Sequence, residues 1–183
     1  MKHIHKHKVF VDLADTLDIK EVLKRNPCFS SEDIRCLFIE AAGTFAPASS
    51  KGFTINVDGA SRGNPGKAGI GYVIRDKNGG VIKEGSKYIG IATNNVSEYT
   101  ALIFSLEAAR EMGAEEVNIY ADSELVVKQI NGEYRVRDEG LKPLYNKVIS
   151  LLKGFRLYDI IHVGRKDNRE ADKLANQAID LRF

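Results

Sequence analysis

The order of hydrophobic segments after residue 52 places the strongest constraint on the fold. Three segments with strand-like patterns follow one another up to residue 89, and helix-like and strand-like segments alternate after that. Consecutive strands joined by short turns pair antiparallel, whereas strands separated by helices usually pair parallel. We therefore expect an α/β fold with a mixed sheet and helices on its faces.

The individual segments have recognisable boundaries. Strands are predicted over residues 53–58, 68–75, 81–89, 115–122 and 155–163. Helices are predicted over residues 94–113, 123–131, 141–155 and 168–183. Asn95 is the predicted cap of the first of these helices, and Gly113 is its predicted stop.

The chain before residue 53 has a different character. Residues 1–42 are predicted to form a small helical segment, residues 43–52 a linker, and residues 53–183 the main domain. Asn26 is expected to end one short helix, and Ser30 or Ser31 to cap the next. Two helices joined by a turn also suggest DNA binding, but a docking appendage is the simpler interpretation. We expect this segment to contact a protein partner or a second copy of the chain.

Composition excludes several classes of protein. The chain contains no apolar run long enough to span a bilayer, and its N-terminus has no apolar core of a signal peptide, so we expect a cytoplasmic protein without membrane contact. Two cysteines, Cys28 and Cys36, do not form a disulfide framework and are expected to be buried thiols. The net charge of +2 neither requires nor excludes a nucleic-acid partner.

Four acidic residues occupy positions that are unfavourable for acids. Asp58 and Asp122 end strands, whereas Glu98 and Asp172 share mostly apolar stripes of predicted helices. Taken singly, Asp122 is explained by helix capping, Glu98 and Asp172 by the helix dipole, and Asp58 as a polar residue at a strand end. Together at one end of a sheet, four carboxylates would repel one another unless cations were bound. Such hard oxygen ligands suit Mg²⁺ or Mn²⁺.

A glycine-rich stretch, "DGASRGNPGKAGIG", begins at Asp58. It matches neither the phosphate-binding pattern G-x-x-x-x-G-K-[ST] nor a G-x-G-x-x-G that opens a helix, since a strand is predicted to follow. We expect a loop here whose glycines let the backbone approach a bulky ligand.

Four stretches together resemble type 1 ribonuclease H in their order and spacing over residues 53–181. They are "DGASRGNPGKAGIG", "TNNVSEYTAL", "ADSELVVKQING" and "NREADKLAN". The resemblance implies a ribonuclease H-like five-stranded mixed sheet flanked by helices. It also implies hydrolysis of the RNA strand of RNA–DNA hybrids by two divalent ions, leaving 5′-phosphate and 3′-hydroxyl ends. The implied metal ligands are Asp58, Glu98, Asp122 and Asp172.

The same resemblance assigns further roles. The implied substrate-binding residues are Gly59, Asn64, Thr93, Asn94, Asn95 and Ser123. Asn and Thr side chains suit the 2′-hydroxyls and base edges of a wide minor groove. Some relatives use a catalytic His before the last acid, and here Arg165 is favoured for that role over His162, which falls within a predicted strand.

The chain also departs from the family pattern. Glu124 stands where many members have Gln, and its negative charge is expected to weaken or alter substrate contact. The stretch "INGEYRVRDEGLKP" is short and lacks Trp, as in compact members without a basic protrusion. Two alternatives remain open: a related nuclease that also cuts double-stranded RNA or RNA–DNA junctions, and a catalytically silent hybrid-binding module. The full acidic set argues against the silent module, because it would gather negative charge beside a polyanion.

Overall fold

The computed structural model describes residues 18–30, 33–34 and 51–182. The chain divides into two compact units, Met1–Ser49 and Ser50–Phe183. Most of the predicted linker, residues 43–50, lies outside the described residues. Within the described ranges, no helix has the length and apolar character needed to cross a membrane.

The described part of the first unit begins with a short helix, α1, over Ile19–Arg25. The Asp18 carboxylate caps its start by accepting a backbone N–H, and Asn26 ends it, as predicted. The Ser30 hydroxyl then accepts the N–H of Asp33 at 3.2 Å, and the Asp33 carboxylate accepts the N–H of Ser30 at 2.8 Å. This reciprocal pair is a capping box, so Ser30 is the cap of the next turn.

The cysteine prediction is wrong for Cys28, which is an exposed free thiol. It lies in the turn after α1, and such connecting segments ordinarily run over the protein surface. Cys36 and the rest of the predicted second helix lie outside the described residues.

The second unit is built on a five-stranded mixed sheet in the order β3-β2-β1-β4-β5. β1 pairs antiparallel with β2, and β2 with β3, whereas β4 pairs parallel with both β1 and β5. The strands are β1 (Gly52–Gly63), β2 (Gly66–Arg75), β3 (Val81–Ala92), β4 (Glu116–Ala121) and β5 (Leu157–His162). The predicted mixed sheet is therefore confirmed.

Four helices flank this sheet in the second unit as described. They are α2 (Asn94–Glu111), α3 (Glu124–Ile130), α4 (Lys142–Leu152) and α5 (Arg169–Leu181). The cap of α2 is Thr93 rather than Asn95, because the Thr93 hydroxyl accepts the N–H of Val96 at 3.3 Å. Gly113 follows the end of α2 with φ of 77°, as expected for a helix stop.

The two strands on either side of the predicted loop are confirmed, but both are longer than expected and most of the loop is strand. β1 continues to Gly63 and β2 starts at Gly66, so only two residues remain between them. A Cβ on Gly59 would lie 2.2 Å from the backbone N of Glu98, and one on Gly71 would lie 2.3 Å from the carbonyl oxygen of Ala171. These two glycines are therefore required for α2 and α5 to approach the sheet, independently of any ligand.

The hydrophobic core lies between the sheet and its helices. Its fully buried side chains include Ile55 and Ile119 from the central strands and Leu102 and Leu106 from α2. Burying each such side chain contributes roughly 1.5–3 kcal/mol relative to exposure. The core thereby fixes α2 against β1 and β2, which brings together the polar residues described next.

Candidate active site

Three carboxylates meet where the parallel pairing of β1 with β4 ends. β1 continues past Asp58 to Gly63, so Asp58 does not end a strand as predicted. The parallel register pairs Val57 with Ala121, so the next residues, Asp58 and Asp122, lie side by side. α2 brings Glu98 to the same place. Ligand oxygens of these three acids all lie within 4.8 Å of one another.

Glu98 is held in place by neighbouring polar groups. The backbone N–H of Gly59 donates to its Oε2 at 3.2 Å, and the Nδ2 of Asn94 donates to its Oε1 at 3.4 Å. Only 5% of Glu98 is exposed, as is 5% of Asp58. Because a side chain at position 59 would clash with α2, the N–H contact from Gly59 depends on that residue being glycine.

Burial and mutual repulsion perturb the protonation of these acids. Burial, followed by the charge of Asp122, raises the pKa of Asp58 to about 8. Burial and then the charge of Asp58 raise the pKa of Glu98 well above its usual range. A bound divalent ion would offset both effects, and oxygen ligands alone are what Mg²⁺ prefers. The three residues therefore fit a divalent metal ion.

Asp172, the fourth predicted ligand, is paired with a cation. The Nη2 and Nε of Arg165 lie 2.6 and 3.1 Å from the Oδ1 of Asp172. Asp172 lies outside the 4.8 Å cluster, although its charge also contributes to the raised pKa of Asp58. The structure thus brings three of the four acids together and places the fourth beside them with Arg165.

The acidic cluster lies in a cleft of about 620 Å³. Among the predicted substrate-binding residues, Gly59, Asn94 and Ser123 line this cleft. Asn64 lies outside the lining, but its Oδ1 accepts the backbone N–H of Asn94 at 3.2 Å and so joins the β1-β2 turn to the start of α2.

Two other predicted contacts, Thr93 and Asn95, are not part of the cleft lining. Thr93 instead caps α2, and Asn95 lies half-buried within its first turn. Both candidates for assisting catalysis, His162 and Arg165, line the cleft and are exposed. His162 belongs to a strand, as predicted, but it is the last residue of β5 and its side chain is exposed rather than packed.

Glu124 was expected to add a negative charge near the substrate, but in the structure it is paired with Lys128. The Nζ of Lys128 lies 2.7 Å from its carboxylate, and the same Nζ lies 5.0 Å from the ring centroid of Tyr134. The hydrogen bond from Lys128 lowers the pKa of Glu124. The additional negative charge at this position is therefore accompanied by a cation.

Asn168 was not identified as a site residue from the sequence. It is 1% exposed, and its Nδ2 lies 3.2 Å from the Oδ1 of Asp122. Asn168 is the first residue of "NREADKLAN" and stands directly before a predicted helix. In the sequence, an Asn at that position indicates only a helix cap. The structure shows no hydrogen bond from its side chain to the first turn of α5, and the side chain turns toward Asp122 instead.

Comparison with known proteins agrees with this geometry. A family described as reverse transcriptase-like matches residues 56–178. Ribonuclease HI of Halobacterium salinarum is 46% identical over 123 residues, which are 67% of this chain and 62% of that protein. Ribonuclease H of Chlorobium phaeobacteroides is 35% identical over 144 residues, covering 70% of this chain and 96% of the relative.

The solved structures include a related enzyme with nucleic acid. LC11-RNase H1, crystallised in complex with an RNA/DNA hybrid, superimposes with a TM-score of 0.68 and 41% identity. The match covers 71% of this chain and 98% of that one. The fold, the acidic cluster and these relatives agree, and the chain therefore belongs to the ribonuclease HI family.

Proposed function

We propose that this protein is an endoribonuclease that hydrolyses the RNA strand of RNA–DNA hybrids. The observation that carries the proposal is the convergence of Asp58, Glu98 and Asp122 within 4.8 Å at the base of an open cleft. LC11-RNase H1, which shares this fold at 41% identity, was crystallised with such a hybrid. The chain spans 62% of the length of the Halobacterium relative, so the activity is inferred for the residues it shares.

The proposed cofactor is Mg²⁺ or Mn²⁺, with two ions per site. Asp58, Glu98 and Asp122 would hold the ions, and Asp172 would join them once Arg165 releases its carboxylate. When bound, such ions activate a water for attack and stabilise charge on the leaving 3′-oxygen, which gives 5′-phosphate and 3′-hydroxyl ends. The protein itself holds the acids close together before metal binds, through the Gly59 and Asn94 hydrogen bonds to Glu98.

Arg165 is proposed to assist the reaction from the rim of the cleft. Its side chain is 77% exposed, and a guanidinium can bind a phosphate as readily as a carboxylate. If the guanidinium moved from Asp172 to the scissile phosphate, the Asp172 carboxylate would become available to a metal ion. The same movement would place a positive charge beside the phosphate. His162 lines the same cleft and is the competing candidate for this role.

Substrate contacts are proposed along the cleft and the adjoining turn. Asn94 and Ser123 face the cleft, and Asn64 contacts the backbone of Asn94, so a minor groove laid across this surface would meet amide and hydroxyl groups. Thr93 and Asn95 would support the same surface from the start of α2. Gly59 also lines the cleft, and because it has no side chain, only its backbone would contact the substrate.

The experiment compares cleavage of four labelled duplexes in Mg²⁺: RNA–DNA hybrid, double-stranded RNA, an RNA–DNA junction and double-stranded DNA. We expect cleavage of the hybrid, and loss of that activity in Asp58→Asn and in Glu98→Gln. Glu107→Gln is the matched control, because Glu107 lies on the same helix as Glu98 but pairs with Lys147 at 2.9 Å on the surface. Undiminished cleavage by Asp58→Asn, or tight hybrid binding without turnover by the unaltered protein, would overturn the proposal.

A cytoplasmic location is also proposed, because the two cysteines form no disulfide framework and Cys28 is a free thiol. We propose that residues 1–42 serve as a docking segment for a protein partner or a second copy of the chain. Removing residues 1–50 should then change the oligomeric state or partner binding while leaving hybrid cleavage in place.

A further inference from the structure

A row of hydrogen-bonded polar side chains leads from Arg75, at the end of β2, to Asp122. The innermost member is Asn168, whose Nδ2 donates to the carbonyl oxygen of Val57 at 2.7 Å and to the Oδ1 of Asp122 at 3.2 Å. Its own Oδ1 accepts from the Nδ2 of Asn56 at 3.2 Å. With 1% of its surface exposed, Asn168 has no water shell to compete for these bonds.

The outermost member, Arg75, fixes the direction of every bond in the row. A guanidinium can only donate, and the Nη1 of Arg75 donates to the Oδ1 of Asn56 at 3.0 Å. Asn56 must therefore turn its NH₂ toward Asn168, which in turn must direct its NH₂ toward Asp122. Arg75 is anchored by an ion pair with Glu170 and is 20% exposed.

The backbone of Asn168 connects a further acid to the same residue. Its carbonyl oxygen accepts the N–H of Asp172 at 3.1 Å in the first turn of α5. One buried residue thus touches the strand residue before Asp58, the carboxylate of Asp122 and the helix turn that carries Asp172.

We propose that Asn168, oriented by Asn56 and Arg75, is a positioning residue that holds the Asp122 carboxylate in the orientation that binds a divalent ion. This inference rests on the proposed function, since it assigns a role at the same metal site. An amide N–H suits this role because it occupies one acceptor position on Asp122 without cancelling the negative charge. Arg165, in contrast, brings a full positive charge to Asp172.

The test measures Mn²⁺ affinity by titration calorimetry on the full chain without substrate. Asn168→Ala is expected to weaken Mn²⁺ binding by about tenfold or more, as residues that orient metal ligands commonly do. It should also raise the Mg²⁺ concentration needed for half-maximal cleavage while leaving the KM for hybrid unchanged. The matched control is Asn131→Ala, which removes a comparable bond, from Nδ2 to the carbonyl oxygen of Ile160 at 3.3 Å, away from the acids.

Two variants of Arg75 test the same inference if Asn168→Ala does not fold. Arg75→Met leaves Asn168 in place but removes the donor that sets the amide directions, so Mn²⁺ affinity should fall by about threefold. Arg75→Lys keeps a donor and should recover part of the loss.

Two results would overturn the inference: wild-type Mn²⁺ affinity in a folded Asn168→Ala, or, if that variant is unfolded, wild-type affinity in Arg75→Met. Failure of the unaltered protein to bind Mn²⁺ is a different result and would count against the proposed function itself.

Discussion

Arg165 binds one oxygen of Asp172 through two nitrogens, Nη2 at 2.6 Å and Nε at 3.1 Å. An arriving cation must compete with the guanidinium for that oxygen, so the ion pair and a metal ion at Asp172 exclude each other in part. The guanidinium side chain is 77% exposed, which limits the strength of the pair because solvent screens it.

Arg165→Ala should therefore have opposite effects on metal binding and on turnover. The Mn²⁺ concentration for half-maximal activity should fall by about threefold, because the exposed pair contributes about 1 kcal/mol or less. At saturating Mn²⁺, kcat should fall roughly tenfold to hundredfold if the guanidinium neutralises phosphate. Initial rates across a Mn²⁺ titration measure both quantities, and His162→Ala serves as the comparison. An unchanged kcat in Arg165→Ala with a large loss in His162→Ala would reverse the assignment.

The raised pKa of Asp58 makes the metal-free protein sensitive to pH. The folded-state pKa of about 8 lies above the unfolded value of 3.8. The stability associated with the protonated acid is complete below pH 3.8 and is lost as the pH rises toward about 8. In EDTA, the Tm of Asp58→Asn should exceed that of the wild type by about 3 °C or more at pH 8.5, and by less at pH 5.5.

Thermal unfolding at both pH values, with and without Mg²⁺, measures this difference. Asp180→Asn is the control, because its carboxylate is half exposed on the far end of α5 and pairs with Arg62. Mg²⁺ should raise the Tm of the wild type and leave Asp58→Asn little changed. A wild-type Tm in EDTA that does not decrease relative to Asp58→Asn between pH 5.5 and 8.5 would contradict the pKa assignment.

The sequence allowed the mixed sheet and the acidic cluster to be predicted because each has a local signal. In the sequence, Asp58 and Asp122 each follow an alternating apolar pattern, and the parallel pairing of β1 with β4 brings the two residues side by side. Residues 59–63 and 66–67 were mistaken for a loop, because Gly59 packs against α2 far along the chain, a contact with no local pattern. In the sequence this glycine suggested a flexible loop, whereas in the fold it allows a helix to pack closely on the sheet.

The hydrogen-bond partners of the α2 cap and of Asn168 could not be predicted from the sequence. Asn is a somewhat better helix cap than Thr, so the sequence favoured Asn95, but the hydrogen bond from the Val96 N–H shows that Thr93 is the cap. Asn168 stands at a helix start, where an Asn ordinarily bonds the helix itself. The residues that it contacts, Val57 and Asp122, lie 111 and 46 positions away in the sequence, and only the folded sheet brings them together.

Gly59→Ala should damage both the fold and the site. The added Cβ would lie 2.2 Å from backbone atoms of Ser97 and Glu98, so α2 must move away from β1. We expect a loss of roughly 1–3 kcal/mol in the free energy of unfolding, as for other overpacking substitutions. In any folded fraction, Mn²⁺ affinity should also fall, because Glu98 loses the Gly59 N–H.

Urea unfolding and Mn²⁺ calorimetry measure these two effects. Gly80→Ala is the matched control, since its Cβ would meet the Asp76 carboxylate at an ordinary 3.4 Å. Equal stability of Gly59→Ala and wild type would show that α2 can shift without cost.

Glu124 and Lys128 form an exposed pair next to the cleft, and their charges should act on the hybrid together. Lys128→Met leaves the Glu124 carboxylate without its 2.7 Å partner and should raise the KM for hybrid severalfold, because an uncompensated negative charge then faces a polyanion. Glu124→Gln frees Lys128 to contact phosphate and should lower KM slightly.

The double variant should lie between the two single variants, and all differences should shrink at high salt as the charges are screened. KM values measured at about 50 mM and about 300 mM NaCl test this, since the Debye length falls to well below 10 Å over that range. A KM for Lys128→Met that equals the wild-type value at low salt would show that the hybrid does not pass near this pair.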